Sequence, residues 1–221
     1  MMADAMADAT LDELRLALAP AIAEAAIFDG WGDAAVRAAA ASERVNPDVA
    51  LLAFPGGAMD LIGAWIARID ADMAAALPNE RIGNLPIRER IRTLVQFRLD
   101  ALADREEALR RALAIMAMPR NAPATLRLGW HSSDAMWRLA GDTATDYNHY
   151  TKRMTLGSIY AATLAVFAQD RSEDHADTRA FLDRRIGDVM RFEKAKARLL
   201  KPRDEQFSVA RLLGRLRYPA R

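Results

Sequence analysis

Aspartate and histidine are the residues of this sequence that come closest to forming a metal or catalytic site. Asp146-x-x-His149 would place two metal ligands on one helical face, and Asp174 directly precedes His175. The chain has no cysteine, only three histidines and no Glu-x-x-His pair to complete a metal centre. It also lacks a Gly-rich phosphate loop and a Gly-x-Ser-x-Gly nucleophile motif. We therefore expect no metal, no cofactor and no catalysis, and we interpret the Asp–His pair as a surface contact or helix cap.

Charge is distributed unevenly along the chain, although the net charge of its 221 residues is only +1. Residues 1–60 contain ten acidic and three basic side chains, a net −7, whereas residues 191–221 contain ten basic and three acidic ones, a net +7. The overall balance argues against a globally basic nucleic-acid binder. The acidic first residues resemble neither a secretory signal nor a transit peptide, and the longest apolar run, 156–168, is too short to cross a membrane.

The elements that must position these residues are predicted to be helices. Val, Ile and Thr make up only 27 of 221 residues, which disfavours strands, so we predict an all-α fold. The predicted helices are 11–28, 33–42, 47–53, 58–77, 87–102, 104–118, 125–139, 143–169, 174–200 and 205–217. The segment 78–86 is predicted to be a loop because it contains Pro, Gly and Asn.

The first helices resemble the DNA-binding head of TetR-type transcription regulators, in which three short helices precede a long one. Residues 45–55 fall where that family has its recognition helix and terminal Phe-Pro. There is no Lys or Arg between Asn46 and Ala64, and Leu51 and Gly57 replace the family's usual tyrosine and lysine. DNA affinity depends largely on Lys and Arg at phosphates, so we expect a retained three-helix scaffold that binds no nucleic acid.

A longer resemblance covers residues 11–190. The run 136–153, MWRLAGDTATDYNHYTKR, is similar to the signature of the Coq-nine family of ubiquinone-biosynthesis lipid-binding proteins. Shorter matches are 54–57, 118–123, 159–163, 168–170 and 180–186. The resemblance implies a TetR-like fold, lipid binding without catalysis, a membrane-contacting C-terminal helix and service to the di-iron demethoxyubiquinone hydroxylase.

The resemblance also implies a patch that contacts the hydroxylase. Carried over to this chain, the patch falls on Asp134, Met136, Trp137 and Leu139, the last at a position where the family often has an aromatic residue. From the residues alone, Trp137 fits an interaction hot spot or a buried core position. Asp134 and Arg138 are spaced i, i+4 and could simply pair.

One face of the helix predicted over 143–169 is a candidate lipid-binding surface. Its residues recur at i, i+4, i+7, i+11 and i+14, and they are Tyr150, Met154, Gly157, Ala161 and Leu164. Small residues leave room for a ligand and methionine adapts its shape, as an apolar slot between helices requires. The same pattern would serve plain helix packing, and the resemblance favours the lipid interpretation.

The last predicted helix is basic and amphipathic. Its candidate membrane-binding residues are Phe207, Val209, Arg211, Leu212, Leu213, Arg215 and Leu216. Such a helix suits the plane of an anionic membrane surface. The alternative is a helix that folds back on the core or on a second subunit.

Together these patterns predict a dimeric, TetR-like protein of bacterial type, cytoplasmic and peripheral on the inner face of the plasma membrane. The predicted divisions are a disordered segment 1–10, a helix-turn-helix-like head 11–55, a lipid-binding core 56–200 and an amphipathic tail 201–221. The expected ligand is an isoprenoid lipid, a quinone precursor or a phospholipid. The alternative is a TetR-type ligand-sensing regulator, which would bind an operator and have no membrane affinity.

Overall fold

The computed structural model describes residues 9–145 and 147–200, and these contain ten α-helices and no strand. The all-α prediction is therefore confirmed. The helices are α1 (Leu11–Asp29), α2 (Asp33–Ser42), α3 (Pro47–Leu52), α4 (Ala58–Ala76), α5 (Asn79–Ile82), α6 (Ile87–Asp100), α7 (Glu106–Met116), α8 (Ala122–Leu139), α9 (Tyr147–Phe167) and α10 (Ala176–Leu200). Single 3-10 turns lie at Ala103–Arg105, Pro119–Asn121 and Glu173–His175.

Several predicted helix bounds were wrong; for example, the helix predicted over 143–169 begins at Tyr147 and ends at Phe167. The predicted 78–86 loop contains the short helix α5, which follows Pro78. Helix α8 begins at Ala122 rather than at Thr125, because Pro123 occupies its first turn, where a missing N–H breaks no helical hydrogen bond.

Contacts divide the chain into two units between Asp183 and Arg184, inside α10. The proposed divisions at 55 and 200 remain predictions. The tail residues Phe207 to Leu216 and residues 1–8 lie outside the described part of the chain, as does Asp146.

Local capping defines the first helices of the head. Thr10 and Glu13 form a reciprocal capping box at α1, with a Thr10 N to Glu13 Oε2 distance of 2.9 Å. Asn46 caps α3 by accepting a hydrogen bond from the Asp48 N–H at 2.9 Å, and Pro47 starts that helix. These caps satisfy backbone donors that the first turn of a helix leaves without partners.

A pair of tryptophans joins the head to the rest of the first unit. The rings of Trp31 and Trp65 lie 5.3 Å apart, and the Trp31 indole N–H donates to the Ala108 carbonyl oxygen at 3.0 Å. Trp65 belongs to α4 and Ala108 to α7, so the link connects the start of α2 to two helices of the core. Helix α4 packs against α1, α6 and α8 and is the central helix of this unit.

Candidate functional site

An apolar cavity of about 520 Å³ lies among α4, α6, α7, α8 and α9. Its size falls within the range of small-molecule sites, and aliphatic and aromatic side chains form most of its wall. The apolar lining residues are Ile62, Trp65, Ile66 and Ile69 of α4, Leu102, Leu109, Ala112, Leu113, Met116 and Ala117 in and beside α7, Leu126, Leu128 and Trp130 of α8, and Met154, Ala161 and Leu164 of α9.

The rim of the cavity is exposed and apolar. Leu126 of α8 is 75% exposed and Met154 of α9 is 68% exposed, and both line the cavity. Helices α8 and α9 approach closely at Gly157. A Cβ atom added there would lie only 3.1 Å from Ser133 Oγ. Glycine at 157 therefore permits the contact between the two helices that form this part of the wall.

Four of the five predicted lipid-face residues, Met154, Gly157, Ala161 and Leu164, line the cavity. Tyr150 does not line it. The Tyr150 ring is exposed and lies 5.9 Å from the ring of Trp130, which does belong to the wall. The role of the five predicted residues in lipid binding remains a prediction.

Sequence reasoning missed the apolar faces of α4 and α7. Leu109, Leu113 and Met116 recur at i, i+4 and i+7 on α7, so the pattern was visible in the sequence. Periodicity identifies such a face but does not distinguish a packed neighbour from an open cavity.

A buried polar cluster interrupts the apolar wall. Arg98 is 1% exposed, and its guanidinium forms an ion pair with Asp70 and donates to Ser132 Oγ at 3.1 Å. The ring of Tyr160 lies 4.9 Å from the guanidinium carbon. Burial raises the pKa of Asp70, although the charge of Arg98 and hydrogen bonds from Arg98 and Ser132 oppose the shift. These groups come from α4, α6, α8 and α9.

A second buried arginine fastens α8 to α9. Arg153 is 2% exposed and donates to Asp134 Oδ1 at 2.6 Å and to Asp142 Oδ2 at 3.0 Å. Lys152 reaches the other Asp142 oxygen at 2.6 Å. Burial opposes ionisation of Asp142, but hydrogen bonds from Lys152 and Arg153 hold its pKa below the ordinary value. Asp142, Lys152 and Arg153 of the run 136–153 thus close this helical hairpin.

The residues of the predicted partner patch differ in accessibility. Met136 is completely buried, so the prediction that it contacts a partner was wrong; its side chain packs in the core. Trp137 is half-buried, and its indole N–H donates to the Lys152 carbonyl oxygen at 3.0 Å. Asp134 pairs with Arg138 at 2.8 Å as well as with Arg153, while Leu139 is partly exposed. Trp137 and Leu139 are the apolar members that remain accessible.

Asp146 of the Asp146-x-x-His149 motif lies outside the described residues, and within them there is no cluster of three or more potential metal ligands. His149 Nδ1 lies 2.9 Å from the Ala144 carbonyl oxygen, so this ring nitrogen is engaged by the backbone before α9. The ring of His175 lies 4.3 Å from that of Phe167. Both histidines therefore take part in local packing.

Comparison with known proteins identifies the family. The model of the family described as COQ9 matches residues 122–193. "Ubiquinone biosynthesis protein COQ9, mitochondrial" of Rattus norvegicus is 35% identical over 168 residues, which are 73% of this chain and 54% of the rat protein. The Homo sapiens protein of that name is 43% identical over 100 residues, which are 45% of this chain and 31% of the human protein. The chain belongs to the COQ9 family.

The COQ9-family chain spans about half the length of its rat relative. Among solved structures, the crystal structure of the TetR transcriptional regulator from Nitrosomonas europaea ATCC 19718 matches with a TM-score of 0.63 and 25% identity. That match covers 78% of this chain and 95% of the regulator. The predicted TetR-like fold is confirmed.

The head of this COQ9-family chain presents few cations to a phosphate backbone. Arg15 donates to Asp60 Oδ2 at 3.0 Å and packs on the Phe54 ring, and this hydrogen bond lowers the pKa of Asp60. On α3, the exposed apolar side chains are Val49 and Leu52. These side chains differ from the Lys and Arg side chains that usually contact DNA phosphates.

The helices of residues 9–145 and 147–200 differ from bilayer-spanning helices. None of them combines the length and the hydropathy that a bilayer span requires.

Proposed function

We propose that this COQ9-family chain is a non-catalytic lipid-binding protein of ubiquinone biosynthesis. It holds an isoprenoid or quinone intermediate in the cavity between α4, α7, α8 and α9 and presents it to the membrane-associated demethoxyubiquinone hydroxylase. The observation that carries the proposal is the apolar cavity with its exposed apolar rim, found in a chain related to ubiquinone biosynthesis proteins.

The chemistry of the wall suits a polyisoprene chain. Moving an apolar chain from a bilayer into water is strongly unfavourable, whereas moving it into an apolar cavity replaces one apolar environment with another. Trp65 and Trp130 add flat aromatic surfaces to the wall. The protein thereby lowers the free-energy cost of removing the lipid from the membrane.

The position of Trp137 supports docking of the hydroxylase beside the rim. Its indole packs on Lys152, and Met154 at the rim is only two residues farther along α9. We place the docked hydroxylase over Trp137, Leu139 and Asp134, less than one helical turn along α9 from Met154. A short path from the cavity to the hydroxylase would keep the lipid out of water during transfer.

Membrane contact is proposed from the sequence of the tail. Residues 205–217 form the basic amphipathic pattern described above, which suits the inner face of the plasma membrane. We propose a homodimer at that surface, with the intermediate or a phospholipid as its ligand. A bacterial-type member would occupy the cytoplasmic side.

Extraction from liposomes tests the function directly. The full-length protein would be mixed with liposomes of phosphatidylcholine alone that contain ubiquinone-3, since these give the basic tail no anionic surface to bind, and the vesicles then removed by centrifugation. We expect ubiquinone-3 to appear in the supernatant in proportion to the protein. Protein in the supernatant without quinone, at every ratio tried, would contradict the proposal.

A ligand-sensing regulator is the second candidate, favoured by the structural match to a TetR regulator. It predicts saturable, sequence-dependent binding to duplex DNA in a gel-shift titration at low salt. We expect no such binding, because Arg15 is paired with Asp60 and α3 exposes the apolar side chains of Val49 and Leu52.

A further inference from the structure

The wall of the cavity contains one buried hydrogen-bond donor that an isoprenoid chain could not pair. Arg98 lines the cavity and is 1% exposed, and its Nε–H has no hydrogen-bond partner among the described residues. Its other nitrogens are engaged by Asp70 and Ser132, and the Tyr160 side chain also forms a hydrogen bond with the guanidinium. Leaving a buried N–H unpaired is unfavourable, so an acceptor supplied by a ligand would relieve that penalty.

We propose that Arg98 binds the polar head of the lipid, which enters the cavity head first and leaves its tail at the rim. This inference rests on the proposed function and specifies the ligand class for the same site. The ligand is a neutral amphipathic lipid whose head carries a hydrogen-bond-accepting oxygen, such as a ring carbonyl or ether.

The charge balance of the cluster favours a neutral head over an anionic one. Asp70 already balances the charge of Arg98, and an anion at the guanidinium would also face the Asp70 carboxylate. Burial raises the pKa of Asp70, in keeping with an environment where a further charge is disfavoured. The Arg98 Nε–H, next to the Arg98–Asp70 ion pair, is therefore suited to a neutral acceptor oxygen on the head of the lipid.

The gradient of exposure gives the orientation. Ser132 and Tyr160 beside Arg98 are 2% and 8% exposed, whereas Leu126 and Met154 at the rim are 75% and 68% exposed. Leu126 precedes Ser132 by six residues on α8, and Met154 precedes Tyr160 by six residues on α9. Six residues span about 9 Å along a helix axis. The wall thus changes from buried and polar to exposed and apolar, which matches a head placed inside and a chain leading out.

The cavity volume agrees with this arrangement. A volume of 520 Å³ equals about 17 water-sized groups at about 30 Å³ each. That is room for a substituted ring and the first part of an isoprenoid chain. The remainder of a long tail would lie beyond Leu126 and Met154, where hydroxylase or membrane could cover it.

The test compares three ligands with the same farnesyl tail: ubiquinone-3, farnesyl phosphate and the oxygen-free hydrocarbon farnesene. Affinities of the full-length protein would be measured by isothermal titration calorimetry. We expect wild type to bind ubiquinone-3 more tightly than either other ligand. Arg98→Lys keeps a cation for Asp70 but removes the Nε donor, and should weaken ubiquinone-3 binding roughly tenfold while leaving farnesene unchanged.

Arg90→Lys is the matched control, because Arg90 lies on the same helix as Arg98 but does not line the cavity, and its Nε–H donates to the Leu85 carbonyl oxygen at 2.8 Å. It should leave the preference for the quinone unchanged. Equal loss in both variants, or tighter binding of farnesyl phosphate than of ubiquinone-3 by wild type, would overturn the inference. Absence of binding by all three ligands would instead contradict the proposed function.

A spectroscopic measurement on wild type keeps the test independent of variant folding. Infrared spectra of ubiquinone-3 labelled with ¹³C at its carbonyls would be recorded free in hexane and bound to the protein. A carbonyl stretch shifted to lower frequency on binding is expected, since a hydrogen bond from Arg98 weakens the C=O bond. An unshifted stretch in the bound quinone would show that the head does not meet a donor, and would overturn the inference.

Discussion

Filling the cavity with a larger side chain should abolish lipid binding without unfolding the protein. Ala161 suits this change because it lines the cavity and is itself exposed at the surface of α9. Ala161→Trp would place an indole of about nine ring atoms in a space for about 17 water-sized groups, so about half of the room is lost. At about 0.3 kcal/mol per ligand atom, displacing nine atoms weakens binding by about 2.7 kcal/mol, or roughly a hundredfold.

Ala162→Trp provides the control for this substitution. Ala162 is the next residue of α9 and is also exposed, but it does not line the cavity. Both variants lose about 0.5 kcal/mol of helix propensity, so their melting temperatures should be similar. Only Ala161→Trp should lose affinity for ubiquinone-3 in equilibrium dialysis, with the bound quinone measured by absorbance after extraction. Wild-type affinity in Ala161→Trp would refute the assignment of the lipid to this cavity.

Three further predictions concern the hairpin, the hydrogen bonds of Asp170 and the tail. Trp137→Ala should weaken pull-down of the hydroxylase and destabilise the fold by only about 1 kcal/mol, the loss of one hydrogen bond; unfolding of the variant would show a core role instead. Although burial opposes it, hydrogen bonds from Ser172 and Thr178 hold the pKa of Asp170 well below its ordinary range. Asp170→Asn should therefore reduce stability in urea melts by about 1 kcal/mol at pH 7, a deficit that shrinks below about pH 4, where the carboxyl group of the unfolded wild-type chain protonates while that of the folded chain is still ionised; a pH-independent deficit would contradict this. Deleting 203–221 should abolish flotation with anionic liposomes at an unchanged melting temperature, and retained flotation would exclude the tail as the membrane contact.

Much of the fold could be predicted from local patterns. Helix α1 follows apolar residues at helical spacing and ends before Gly30, which adopts a positive φ of 74° that side chains disfavour. Asn46 and Pro47 likewise predicted the start of α3. These signals act within a few residues of each other, so they can be read directly from the sequence.

The candidate site could be predicted only in part. The α9 face was visible because Met154, Gly157, Ala161 and Leu164 share one helix. Arg98, in contrast, lies 28 residues from Asp70 and 34 from Ser132, and periodicity carries no information about which helices meet. Met136 was predicted to lie on a partner-binding surface because it belongs to a recognised motif. Its side chain is instead buried beneath that surface.

Native mass spectrometry of the purified full-length protein, followed by organic extraction and identification of the lipid, tests the central claim most directly. The account predicts a co-purifying isoprenoid, quinone precursor or phospholipid on wild type and on Ala162→Trp, and its loss from Ala161→Trp. Wild-type protein that is free of lipid and takes up no ubiquinone-3 when supplied would contradict it.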